Sequence, residues 1–426
     1  MTDATPSHAA PGVPTWLADR LHRAGYSVPF STYMNWVLHD PDHGAYGAGR
    51  LRIGPQGDFA TAPSLGSDFA ALLAPQVAQW LSQLTGQEAG KGGSGDTPRL
   101  RGSDQRPLTL VETGPGEGDL ALQLGQQLAL RWPDLAALTE FVLVEPNAGM
   151  RRRQRERLQA APLPVRWSNF DQLAREPVIG VVLAHEVLDA LPVERIVRGT
   201  ETWACQRVAL RDGTLGLESG EALPSAMADL LEALRLLPLN AQRPEGWCTE
   251  LHPGLAPWLG ACGTALAKGH LLVVDYALEA WRYYCPARSN GTLLAYRGQR
   301  VSADPLLDPG HWDLTAHLCI DSLLLEAQSQ GWEPQGHCRQ GQALLALGLA
   351  QRLHGLQTME GLQDQTQESG SAEGHQDLAT LLSRREALLR LVDPSALGDF
   401  RWLAFRRGFS GCGIEFEAPL FLQHPR

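Results

Sequence analysis

The sequence predicts a doubly wound α/β fold, a mostly parallel sheet covered by helices. Short apolar runs at 108–112, 141–145, 178–184 and 271–275 consist mostly of Val, Leu, Ile or Phe, the composition of strands buried on both faces. Helical stretches lie between them; after the first run, Leu120, Leu122, Leu124, Leu128 and Leu130 recur among glutamines and an arginine over 120–132. The first run also ends in a carboxylate and a glycine-rich turn, Glu112-Thr113-Gly114-Pro115-Gly116-Glu117-Gly118. A turn placed after the first strand marks the crevice where such sheets bind ligands.

In chain order, residues 1–12 read as a disordered lead, with neither the apolar stretch of a secretory signal nor the arginines of a mitochondrial presequence. Residues 13–85 read as a helical N-terminal region. Within it Phe69, Leu72, Leu73, Val77, Trp80, Leu81 and Leu84 fall at helical spacing, and Pro75 either kinks that helix or marks its true start. Residues 86–107, polar and rich in glycine, read as a flexible loop. The core is expected over 108–356, with insertions that shape a substrate cleft. A low-complexity interval at 357–376 reads as a disordered loop. Residues 377–426 then supply a helix (378–391) and two strand-like runs (401–406 and 414–416) that complete the core.

Bulk composition removes several function classes. With 43% hydrophobic and 19% charged residues, the chain is not disordered throughout. Its net charge of −11 argues against nucleic acid held by bulk electrostatics. The seven cysteines are scattered and never spaced C-x-x-C, so neither a disulfide framework nor a metal site is expected, and a reducing cytoplasm is the simpler setting. No apolar run is long enough to predict membrane insertion. The basic run at 151–157 reads as a solvated helix face, and the tryptophans as core or cleft walls.

The chemistry concentrates at three strand ends. Gly114, Gly116 and Gly118 permit positive φ and close approach of a ligand to bare backbone. A dinucleotide would want G-x-G-x-x-G, but Asp119 stands where the third glycine would fall. Glu112, Glu117 and Asp119 also carry the wrong charge for a pyrophosphate, and suit a cationic ligand bearing an amino group and a sulfonium. The plainer alternative is a turn that only redirects the chain. Glu145 ends the second run, either poised to take both hydroxyls of a ribose or merely exposed at a strand tip. The third run leads into His185-Glu186-Val187-Leu188-Asp189, which makes His185, Glu186 and Asp189 the catalytic candidates. For a guanidinium acceptor, Glu186 or Asp189 could hold the group, orient its nitrogen and help remove its proton. Alternatively, His185 and Asp189 cap a helix and tie down the loop.

With these blocks the chain resembles the MidA-type methyltransferases, the family that includes the mitochondrial complex I assembly methyltransferase. The likeness is carried by Tyr33-Met34, Asp40-Pro41, Gly44-Ala45-Tyr46, and Gly57-Asp58-Phe59 with Thr61 and Pro63. It continues through the Glu112–Gly118 turn and His185-Glu186-x-x-Asp189-Ala190-Leu191-Pro192. Further on come Asp275-Tyr276, Gly291-Thr292-Leu293, Pro309-Gly310 and Asp313-Leu314-Thr315-Ala316-His317. The resemblance implies a class I methyltransferase sheet that binds S-adenosylmethionine, with Glu112, Gly114 and Gly116 at the methionine end and Glu145 at the ribose. Asn169 and Phe170, after a third strand at 165–167, would lie near the adenine. It further implies a protein substrate, an arginine on a subunit of an NADH-dehydrogenase-like complex.

This chain departs from the family pattern at Ala45, at Ala62 and Ser64, at Ala277, and at Gln299, where a histidine is expected. The departures lie outside the cofactor turn and bear on the acceptor. Two other functions stay open on sequence grounds: a non-catalytic assembly factor that retains the cofactor pocket, and a nicotinamide-dependent oxidoreductase. Residues 313–317 read as a helix N-terminus entering the segment to Gln330, either a substrate-gating element or a capped helix.

Overall fold

The computed structural model describes residues 12–85, 107–236, 243–356, 378–409 and 417–424. The lead before residue 12, the interval 86–106, the interval 357–376 and the strand-like run 414–416 lie outside the described residues. Two compact units share the chain in alternation, where the sequence suggested consecutive segments. One comprises Ile53–Asp189, Leu255–Glu279 and His317–Arg426; the other comprises Met1–Arg52, Ala190–Gly254 and Ala280–Ala316.

The first unit is built on a seven-stranded sheet, numbered here within the sheet in chain order. The strands are β1 (Leu108–Thr113), β2 (Thr139–Val144), β3 (Val165–Ser168), β4 (Val178–His185), β5 (Leu266–Asp275), β6 (Glu333–Arg339) and β7 (Arg401–Arg407). Their spatial order is β6-β7-β5-β4-β1-β2-β3. β5, β4, β1, β2 and β3 run parallel, while β7 is antiparallel to both β5 and β6. From β1 the chain winds outward through β2 and β3, then returns to the other side of β1 for β4. The winding therefore reverses between β1 and β4, which opens the crevice at their carboxyl ends. All six residues of β1 are buried, as expected of a central strand covered on both faces.

Helix Asp68–Leu84 packs on this sheet and runs unbroken through Pro75. Proline has no N–H to donate to the carbonyl of Ala71. Arg131, from helix Asp119–Arg131, donates to that carbonyl instead, at 3.0 Å. The missing helical bond is thus replaced from outside, and the helix does not begin at Pro75. At its first turn the buried Asp68 pairs with Arg352 and, at 2.7 Å, with Arg384. Burial opposes ionisation there, but the two guanidiniums outweigh it and hold the carboxyl below its usual range.

The second unit is dominated by antiparallel strands that sequence periodicity did not reveal. Ser27–Pro29, Trp203–Arg211, Glu194–Arg198 and Cys248–Leu251 pair in that order, with Thr214–Ala222 added on Trp203–Arg211. A separate sheet holds Arg300–Ser302, Leu294–Arg297 and Asp313–Thr315. Asp313–Thr315 is therefore a strand, not the expected helix start, and the helix begins only at Ile320. The helix-capping habit of Asp313 yields to strand pairing, Asp313 opposite Tyr296, Leu314 opposite Ala295 and Thr315 opposite Leu294. In the same unit the fully buried Glu250 accepts from the Thr292 backbone N–H at 2.8 Å, its hydroxyl at 3.2 Å and the Tyr283 hydroxyl at 3.4 Å. Thr292 of the Gly291-Thr292-Leu293 block thus serves one oxygen of a buried carboxylate, Oε2.

Candidate cofactor and active site

β1 delivers its chain directly into the glycine turn. Gly114, Gly116 and Gly118 all take left-handed backbone, with φ of 57°, 54° and 88°. Gly118 is the N-cap of helix Asp119–Arg131. A Cβ on Gly114 would lie 2.8 Å from Val187 Cγ2, and one on Gly116 would lie 2.9 Å from Ile53 Cδ1. The left-handed φ demands glycine at both positions; at Gly114 the branched Val187 crowds the site as well, whereas the Ile53 tip beside Gly116 can move aside. The Gly114 contact also brings the loop after β4 against the turn after β1, across the point where the winding reverses.

Glu112 is the unusual group in this crevice. It is fully buried, accepts from the Ala121 backbone N–H, and keeps Oε2 without a partner among the described residues. Burial first, and Asp119 second, push its pKa up to about 8. An ammonium against that oxygen would satisfy it and restore its charge. The other two acids of the turn are already committed: Glu117 pairs with Arg153 at 2.9 Å, and Asp119 pairs with Arg157. The sequence suggested three carboxylates for a cationic ligand, whereas the structure leaves Glu112 for that task. The arginines responsible come from helix Ala148–Arg157, whose basic face is consequently not left wholly to solvent.

Glu145, just past β2, is buried and accepts from the Asn147 backbone N–H at 2.9 Å and from Gln154 Nε2 at 3.3 Å. Burial raises its pKa against these hydrogen bonds and the charges of Arg151 and Arg153. Gln154 also donates to the Gly116 carbonyl at 2.8 Å and accepts from Trp167 Nε1 at 2.9 Å. After β3, Asn169 caps the short helix Phe170–Arg175, its Oδ1 accepting from the Gln172 backbone N–H at 2.8 Å. Phe170 stands edge-on to Trp258, ring centroids 6.5 Å apart. The side-chain oxygen of Asn169 is thus spent on capping.

The three catalytic candidates separate. His185, the last residue of β4, packs edge-on against Phe69 at 5.1 Å and lines a small apolar cavity with Leu73, Leu120, Leu272 and Val274. Burial drops its pKa to about 3, so its 3.4 Å approach to Glu186 is not an ion pair. His185 is thus set among apolar side chains and kept neutral. Glu186 and Asp189 sit on the loop beyond the strand, Glu186 with φ of 51°. That loop is held by Asp275 at the end of β5, whose Oδ2 accepts from the backbone N–H groups of Val187, Leu188 and Asp189 at 3.3, 3.0 and 3.3 Å. Its Oδ1 accepts from the Tyr276 N–H at 2.8 Å. Burial, and then the neighbouring Asp189, push the Asp275 carboxyl well above its usual range. Asp275 was not among the candidates, although the apolar run before it ends in an acid just as those before Glu112 and Glu145 do.

A family model for S-adenosyl-L-methionine-dependent methyltransferases matches residues 94–338, more than half of the chain. The chain belongs to this family. It is similar to the mitochondrial protein arginine methyltransferase NDUFAF7 homolog of Drosophila melanogaster, 26% identical over 409 residues that cover 89% of this chain and 82% of that one. The human NDUFAF7 protein is 26% identical over 344 residues, 71% of this chain and 66% of the relative. A crystal structure from Burkholderia thailandensis with S-adenosyl-homocysteine bound superimposes with a TM-score of 0.77 at 28% identity, covering 96% of this chain and 94% of that one. A native crystal structure from the same organism gives a TM-score of 0.72 at 27% identity, with the same coverage. The enzyme is accordingly an S-adenosylmethionine-dependent methyltransferase on a class I sheet, which sets aside the nicotinamide alternative.

Gly116→Val is expected to abolish S-adenosylhomocysteine binding in titration calorimetry while circular dichroism stays native. A β-branched residue in left-handed backbone costs about 1–3 kcal/mol, less than a domain's stability, but the turn cannot keep its shape. Asp275→Ala leaves four backbone N–H groups without their acceptor and should cost roughly 3 kcal/mol or more, read as an earlier midpoint in denaturant unfolding.

Proposed function

We propose that this enzyme methylates a side chain of a partner protein, and that the acceptor is an arginine. The observation that carries the proposal is the contact between Val187 and the position of a Gly114 Cβ, because Val187 lies between Glu186 and Asp189. Two carboxyl groups are thereby carried on a loop that abuts the cofactor turn. In this reading Glu112 holds the amino group of the methyl donor, the glycine turn lies along its methionine end, and Glu145 takes the ribose hydroxyls. Asn169 and Phe170 border the adenine. The donor supplies a methyl group on a sulfonium, whose transfer asks chiefly for in-line placement of the nucleophile.

A guanidinium stays charged at physiological pH and must give up a proton as its nitrogen is methylated. Glu186 and Asp189 meet both needs: paired charge-assisted hydrogen bonds orient the group, and one carboxylate takes the proton. Asp275 and Asp189 stand close enough that the Asp275 carboxyl is pushed well above its usual range, so the two do not ionise independently. The relatives that carry the name protein arginine methyltransferase support the same acceptor. As partner we propose a subunit of an NADH-dehydrogenase-like complex, on the resemblance of the sequence blocks. A cytoplasmic site of action is proposed from the six described cysteines, all unpaired.

The test is mass spectrometry of candidate subunits with and without the enzyme. A methylarginine that disappears with the enzyme is expected; failed assembly with every methyl mark unchanged would point to a non-catalytic assembly factor. Binding itself has a protonic signature. With a pKa of about 8, Glu112 is mostly protonated at neutral pH and ionises beside a bound ammonium. S-adenosylhomocysteine should therefore release about one proton on binding, and its affinity should rise with pH until Glu112 is ionised in the free enzyme. Calorimetry in buffers of different ionisation enthalpy measures the release, and Glu112→Gln should remove both the release and the pH dependence.

A further inference from the structure

Helix Ala148–Arg157 carries five arginines, the composition of a solvated face, yet several of its side chains fold back onto the cofactor turn. Arg151 donates to the Glu145 carbonyl at 3.3 Å, Arg153 pairs with Glu117, and Arg157 pairs with Asp119. Gln154 stands apart, uncharged and wholly buried among these arginines. Its amide is engaged at both ends. The Trp167 indole N–H can only donate, so the atom it meets must be the amide oxygen, which fixes the orientation of the group. The NH₂ end is thereby aimed at the Gly116 carbonyl and at Glu145 Oε2.

We propose that Gln154 is a positioning residue for the cofactor, locking the glycine turn and the ribose carboxylate into one unit. The proposal rests on the reading that this turn and Glu145 hold S-adenosylmethionine. One N–H holds the Gly116 carbonyl and so the left-handed backbone of the turn. The other occupies one lone pair of Glu145 Oε2, while the Asn147 N–H occupies one on Oε1. The carboxylate is held from its protein side, and its remaining lone pairs stay available to two hydroxyls. No other side chain type does this as well. An arginine, like its neighbours, cannot accept from Trp167, and a glutamate would set a second carboxylate against Glu145.

Gln154→Met and Gln154→Glu separate positioning from packing, with S-adenosylhomocysteine affinity measured by calorimetry from mildly acidic to mildly alkaline pH. Relative to the wild type, the Met variant should bind about tenfold more weakly at every pH, having lost both donors. The Glu variant should bind more weakly still at alkaline pH and recover on acidification, as a proton shared between two carboxylates restores a donor. KM for the methyl donor should rise in both variants while kcat at saturation holds within about twofold. Affinities within about twofold of wild type at all pH values, even with lowered unfolding midpoints, would overturn the proposal and leave Gln154 a packing residue. Failure of the wild-type chain itself to bind would overturn the cofactor reading, and the role of Gln154 with it. Should Gln154→Met not fold, Trp167→Phe removes the donor that orients the amide, together with part of the ring beneath Arg155. Its S-adenosylhomocysteine affinity should fall several-fold, and unchanged affinity would sink the orientation argument.

Discussion

A carboxylate taken out of water needs a positive partner or a proton, and at Glu112 the fold supplies no positive partner. The side chain sits in a fully covered central strand, one oxygen on a backbone N–H and the other unmet. Its elevated pKa expresses that unsatisfied state. The arrangement is unfavourable for folding alone, and under the proposed function a cationic ligand would complete it. The nearby acids Glu117 and Asp119 are paired with Arg153 and Arg157, whereas Glu112 has no such partner among the described residues.

The same problem is solved twice more along the carboxyl edge of the sheet, in different ways. Glu145 is buried but bonded by Asn147 and Gln154, with accepting capacity left over. Asp275 is buried and turned inward, its oxygens taken up by four backbone N–H groups. It spends its acceptors on shaping the loop that carries Glu186 and Asp189. Three strands thus end in an acid, one with an oxygen unmet among the described residues, one partly bonded and one taken up by the backbone. The winding order brings β1 and β4 side by side, so Val187 can lie against the glycine turn and join the two halves of the site.

Several sequence readings failed for one physical reason: a side chain's role depends on which face of its element meets the core. His185 precedes Glu186 in sequence, yet it ends β4 in the apolar layer against Phe69, where burial keeps it neutral. The arginine run looks solvated because its charges are contiguous in sequence, but several of them turn back onto acids of the cofactor turn. Gln154 is legible as nothing more than a gap in that run until Trp167, Gly116 and Glu145 are placed around it. Asp313 looks like a helix cap because caps are local, whereas the strand that claims it is assembled from residues outside its own neighbourhood.

The sequence by itself determined the class of the fold and the location of the glycine turn after the first strand. Buried parallel strands, winding helices and a glycine turn are each written in consecutive residues: apolar runs, a helical period, and three glycines where φ is positive. It also marked the acids at the strand ends, since a carboxylate directly after an apolar run is visible without coordinates. Which of those acids stays unmet, which is neutralised and which turns inward was decided only by tertiary structure. Charge pairing and desolvation depend on groups brought together from distant parts of the chain, and no local pattern records those meetings.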